Sequence, residues 1–384
     1  FPAALALGLA ATATSTPAQA DGSPFVGTRV GQNRHGEDVR VTREVGAPGG
    51  YENRLLAISV ARMAAIEPAV VVKGNDKRWH ALETTANFYG GGASADNYRV
   101  AEIYGLPSRA GIAASQAKID ELLRRASANP RDAAVGPELE RERMLHAQLV
   151  FGVEAKEIKF IRSLHDRAAD VINVTPNLPD DVGGIHGPVG TSDPDFVKGA
   201  RTAITVNLKK LASPQAAAGT VFHEEIHRLD YEHTQALATR YEADTRRTFM
   251  AGRPFTTWLL GQPASTLPRD EAELAADVAE NANGATEAHA NLRTFLAAIE
   301  AGAWPLAQTM LVAYAGALTS KPATYNAPGN YVSAASFVEL ETVYRRSTAA
   351  EKKAFDDAFA AVRAKHPTGV WFARFDHATA LRGH

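Results

Sequence analysis

The sequence predicts an α+β fold that is predominantly helical, and three observations carry that expectation. Apolar residues recur at helical spacing through much of residues 51–150. One alternating apolar–polar run, Thr202-Ala-Ile-Thr-Val-Asn-Leu208, stands just ahead of a strongly helical stretch. After Pro268 the chain is helix-compatible to its end, broken by a polar segment from Pro322 to Tyr331. With 384 residues and 45% hydrophobic content, the chain can build two domains, or one large domain with appendages. The net charge of −2 gives no general attraction to nucleic acid or anionic membrane. There is no cysteine, so any bound metal must be held by nitrogen and oxygen.

Taken in order, residues 1–20 pair a short apolar run, Ala3 to Ala11, with the small-x-small ending of Pro17-Ala-Gln-Ala20. That pattern resembles a secretory signal peptide, which places the chain in a secreted or periplasmic setting, and no apolar stretch is long enough to span a membrane. Residues 21–50 are Gly-rich and charged and read as a linker or pro-segment. From Tyr51 the spacing of Leu55, Leu56, Val60 and Met63 predicts a helix. Ala114–Arg125 and Pro137–Val150 predict two more, so residues 51–150 read as a helical domain of unassigned role. Glu154–Asp170 predicts an amphipathic helix and Val171–Thr175 a short strand. Pro176–Asp195 is a Gly/Pro/Asp-rich loop in which His186 can reach a metal cleft on the following helix but, as a lone loop histidine, reads first as solvent-exposed. The strand at Thr202–Leu208 is followed by Ser213-Pro214, an N-cap and first helical position.

The helix so begun contains His223-Glu-Glu-Ile-His227. On a helix, residues four apart share a face, so His223 and His227 can grip one Zn²⁺. Glu224 lies about 100° round the axis, where its carboxylate can take a proton from a water that the metal activates. Asp230 falls on the face of both histidines and can hold the far ring nitrogen of one of them. A strand running into such a helix suits peptide hydrolysis, because an exposed edge can hold an extended substrate beside the metal.

A third ligand has two sources. His233 comes near a metzincin spacing, but Asp230 occupies the place where a glycine would turn the chain. With no breaker through Asp244, the helix continues and carries position 233 about 120° away from His227. The alternative is a later helix, Pro268–Glu280, in which Glu273 and Asp277 share a face and Glu271 stands close by.

Together, His223-Glu-x-x-His227-x-x-Asp230 and Glu271-Ala-Glu273-x-x-Ala-Asp277 resemble gluzincin zinc metallopeptidases, most closely the catalytic domain of the anthrax lethal factor group. The resemblance implies a zincin-like catalytic domain over residues 151–384, with a small sheet, an active-site helix and a helical C-terminal part. It implies His223, His227 and Glu273 as ligands of one Zn²⁺, Glu224 as general base, and Asp230 and Asp277 as carboxylates that orient the ligands. Ile226, Asp277 and Leu274-Ala275 depart from the family pattern, as does the lack of a tyrosine just before the second motif, where Trp258 is the nearest aromatic. Tyr231, Tyr241, Tyr325 and Tyr331 are left as candidates to stabilise the oxyanion. The expected activity is that of a secreted zinc endopeptidase acting on a protein or peptide substrate. The alternatives are a zinc-stabilised binding or toxin-like module without turnover, and a metzincin-type peptidase using His233.

Overall fold

A computed structural model describes residues 23–88 except 48, 91–92, 100–168, 171–179, 182–188, 202–248 except 212, 253–261 and parts of 290–310. These residues form a mixed α/β fold around two sheets. The expected predominantly helical, zincin-like architecture is overturned by a six-stranded antiparallel sheet that curls into a nearly closed, barrel-like form.

That sheet orders its strands β1-β2-β4-β3-β6-β5, with β1 Arg29–Gln32, β2 Asp38–Val45, β3 Ala69–Gly74, β4 Trp79–Thr84, β5 Gly91–Gly92 and β6 Val100–Gly105. Residues expected to be a linker thus supply two strands. In Asp38-Val-Arg-Val-Thr the valines are buried and the polar residues exposed, an alternation hidden in the sequence by its charged partners. Four strands also interrupt the expected helical domain at 51–150. Val70-Val71-Val72 of β3 is buried on both faces, so it shows no period of two. Val70, Val72 and Leu82 pack inside the sheet with Val39, Val41 and Ile103. Near-closure brings Phe88 over β1, where its ring occupies the space that a side chain on Gly31 would need.

Against the outer face lies α1 (Arg54–Met63), at the place its apolar spacing predicts. Asn53 caps it, accepting from the Leu56 N–H at 3.0 Å. Every residue of α1 from Leu55 to Met63 is buried. Arg62 reaches the carbonyls of Leu149 and Val150, near the end of a later helix, at 2.8 and 3.1 Å, and that of Pro107 at 2.9 Å. Burial lowers its pKa to about 10.

The helices α2 (Arg109–Ala128) and α3 (Val135–Phe151) agree with expectation. Glu154–Asp170, however, is not a helix. It forms single 3-10 turns at Ala155–Glu157 and Leu164–Asp166 around the strand β7 (Ile158–Phe160), because Ile158 pairs with Ile172 in a second sheet. That sheet orders as β7-β8-β10-β9, with β8 Ile172–Thr175, β9 Gly184–Pro188 and β10 Thr202–Asn207. β7, β8 and β10 run parallel, and β9 is antiparallel at the edge. β10 leads into α4 (Pro214–Thr245) and then α5 (Arg253–Leu260), and further helical residues are described between 293 and 310. Ile172, Val174, Ile204 and Val206 face α3 and α4 in one cluster, while α1 packs on the other side of α4 through Phe222 and Ile226. No helix among the described residues is long and apolar enough to cross a membrane.

Candidate metal centre

α4 starts where its capping residues predict. The Ser213 side chain accepts from the Ala216 N–H, and Pro214 takes the first helical position. Ala217, Ala218, Val221, Phe222 and Ile226 anchor the helix in the two cores, which fixes its rotation about its axis. His223 and His227 therefore point together to the side where β9 passes. Their Nε2 atoms lie 3.0 Å apart, with the rings edge to face. At that separation the two nitrogens either share one proton or both offer lone pairs to one cation. Nitrogens on a tetrahedral zinc stand about 3.3 Å apart, so the pair fits the metal with little movement.

Glu224 is 6% exposed and packed beneath β9. A Cβ on Gly184 would meet Glu224 Cγ and Thr220 Cγ2, each at 2.9 Å, so only glycine lets the strand pass this close to the motif. Two residues on, His186 shares the α4-facing side of the strand. Its ring lies 6.4 Å from that of His227 and nearly parallel, and 5.9 Å from that of Tyr231. His186 Nε2 is buried with no hydrogen-bond partner among the described residues. Burial pushes its pKa down to about 4; His227, Arg228 and Arg167 push the same way, and Asp230 opposes them. The imidazole is therefore neutral at neutral pH.

The structure brings Asp230 to this side of α4, buried at 8% exposure, and leaves Tyr231 half-buried one turn beyond His227. Burial raises the Tyr231 pKa, so its phenol keeps its proton. Tyr241 belongs elsewhere. It stands 14 residues after His227, about 21 Å along the helix, and packs against Phe255 and Trp258 at 5.6 and 5.5 Å. α4 runs unbroken through position 233, about 120° round the axis from His227, so the backbone does not turn that position toward the pair. Glu273, Asp277, Tyr325 and Tyr331 lie outside the described residues. Among the described residues no group of three His, Asp or Glu side chains converges as a metal cluster.

The opposite face of α4 carries a different arrangement. Glu225, 2% exposed, receives Arg228 Nε at 3.0 and 2.9 Å and Asn53 Nδ2 at 2.5 Å, and Arg228 also bonds Glu232. Burial raises the Glu225 pKa, opposed by Arg228 and Asn53. For Arg228, burial works against the charge, but Glu225 and Glu232 outweigh it and hold the pKa above the ordinary value. A cavity of about 430 Å³ between Asn53, Leu55, Ile204 and this cluster is lined by none of His223, Glu224, His227 and Asp230.

Two features near the site escape the sequence reading. His186 reads first as a loop histidine, yet it sits on a strand over the motif; the signal was Gly184-Ile-His186, whose first and third residues share one strand face, with glycine permitting the close approach. The expected exposed edge at Thr202–Leu208 is covered by β9, so β9 supplies the edge instead. Compared with protein-family models, with curated proteins and with solved structures, the chain finds no match.

Proposed function

We propose that the chain is a zinc-dependent endopeptidase that cleaves protein or peptide substrates, secreted or periplasmic if residues 1–20 act as a leader. The observation that carries this reading is the pair of Nε2 atoms, His223 and His227, 3.0 Å apart on α4, with the buried Glu224 between them and an edge strand. In this reading His223, His227 and Glu273 hold one Zn²⁺, as the resemblance to the lethal factor group implies. When bound, the metal supplies a Lewis acid that makes water more acidic and polarises a carbonyl.

The chain's own residues do the rest. Glu224, held in place by Gly184 and Thr220, takes the proton of the attacking water and passes it to the leaving amine. Asp230 fixes the orientation of a ligand histidine. The main chain of β9 pairs with an extended peptide, which lays the scissile bond along α4. Tyr231, protonated and on the motif's side, donates to the developing oxyanion.

Zinc analysis of the purified chain should give about one Zn²⁺ per molecule, lost in His223→Ala and Glu273→Ala and kept in His233→Ala. Casein or peptide-library cleavage should stop with phenanthroline. Zinc bound without cleavage would replace this reading with a binding module, and zinc lost from His233→Ala but kept in Glu273→Ala would overturn the ligand set.

A further inference from the structure

Arg167 follows the 3-10 turn at Leu164–Asp166 and runs beneath the edge strand. Its Nη1 occupies the space that a Cβ on Gly187 would fill. The side chain is half-buried, and its Nε is buried with no hydrogen-bond partner among the described residues. Three other arginines withdrawn from solvent meet acceptors, Arg62 capping three carbonyls, Arg54 pairing with Glu157 and Arg43 with Glu83, while Arg143 on α3 shares the withdrawal of Arg167 but not its place under a strand edge. No carboxylate among the described residues pairs with Arg167. Burying a cation without an acceptor is costly, and a guanidinium fork matches a carboxylate in two-point geometry.

Its place on the sheet says which carboxylate. In β9 Gly184 and His186 face α4, opposite Val206 and Ile204; Ile185 and Gly187 face the other side, opposite Thr205 and Ala203. Arg167 lies on that second side. The free edge of β9 pairs with nothing among the described residues. A peptide added there would alternate its side chains in the same way, so every second one comes to the Arg167 side. Gly187, next to His186, carries no side chain on that side, so the Arg167 guanidinium reaches the strand backbone just where the strand passes His227.

We infer that Arg167 and the bare backbone of Gly187 form a carboxylate subsite that selects peptide substrates with an acidic group close to the scissile bond. The inference rests on the peptidase reading above, and β-strand alternation favours an Asp or Glu side chain over a chain terminus as the source.

The test uses the zinc-loaded full chain and peptides that differ only in one Asp or Glu changed to Asn or Gln beside the cleaved bond, each with a free or amidated C terminus. The acidic peptide should show a kcat/KM about 10- to 100-fold higher. That advantage should vanish in Arg167→Gln, turn toward Lys-containing peptides in Arg167→Glu, and shrink in Gly187→Ala, which displaces the guanidinium without removing it. Cleavage of the neutral peptide should change by no more than about twofold in Arg167→Gln. An advantage that depends on the free C terminus would assign the subsite to a terminal carboxylate and overturn the side-chain choice. An advantage that survives Arg167→Gln, or that wild type never shows, overturns the inference itself. If wild type cleaves nothing, the peptidase reading fails separately. Fluorescence anisotropy of the same labelled peptides on the Glu224→Gln protein then decides the subsite: salt-sensitive, Arg167-dependent preference for the acidic peptide supports it, and equal binding overturns it.

Discussion

The two polar faces of α4 are built to opposite ends. On one, Glu225, Arg228, Glu232 and Asn53 satisfy one another, and Asn53 also caps α1, so the cluster locks two central helices together. On the other, His223 and His227 bring two ring nitrogens to one point, beside a strand whose His186 nitrogen is buried without a partner among the described residues. Polar groups that saturate each other hold structure, while two ring nitrogens brought to one point can share a single proton or cation. The contrast teaches that charge on a buried helix face does not mark function; the direction in which the donors and acceptors point does.

The largest effect expected is on the motif face. Glu224→Gln should lower kcat by about 1000-fold while leaving zinc content and thermal stability near wild type, measured by turnover, metal analysis and thermal unfolding together. Full turnover by the metal-loaded variant would remove Glu224 from the chemistry and collapse the contrast. On the other face Glu225→Ala should cost about 2–3 kcal/mol of stability in urea unfolding, less than a fully buried pair because Arg228 is partly exposed, with zinc still bound. Loss of zinc from the folded Glu225→Ala protein would show that the faces are coupled.

Gly184→Ala comes next. The added methyl meets Glu224 and Thr220 at 2.9 Å, so it should cost about 1–2 kcal/mol and reduce turnover more than it reduces zinc affinity. Unchanged turnover would mean that β9 does not position the carboxylate.

The smallest effect separates acid release of metal from acid unfolding. His146, on α3, is buried with Nε2 at 3.3 Å from the Leu211 carbonyl, and burial lowers its pKa below the ordinary 6.5. The unfolded chain then binds more protons than the folded one below pH 6.5, so its contribution to stability is present above that pH and is lost as pH falls. His146→Gln should flatten the fall in stability below pH 6.5 without moving the pH at which zinc leaves; an unchanged slope would assign the acid sensitivity to other groups.

Much of the local structure was legible. The N-cap Ser213, Pro214 and the unbroken run beyond Asp230 specify α4 because caps and breakers act within one turn, and the spacing of His223 and His227 specifies their common face for the same reason. The strands of the first sheet were not legible. Val39 and Val41 alternate among charges that read as linker, and Val70-Val71-Val72 shows no alternation because both of its faces are covered.

By itself, then, the sequence determined where α4 starts, roughly where α1, α2 and α3 lie, and which residues of α4 share a side. Only the tertiary structure decided which strand forms the edge beside them, that His186 faces His227, that Arg167 lies under Gly187, and that Tyr241 is a packing residue about 21 Å away. The physical reason is range. Helix periodicity and capping are set by neighbours a few residues apart, whereas strand order and the approach of distant side chains depend on how two sheets and a long helix bury their apolar faces against one another.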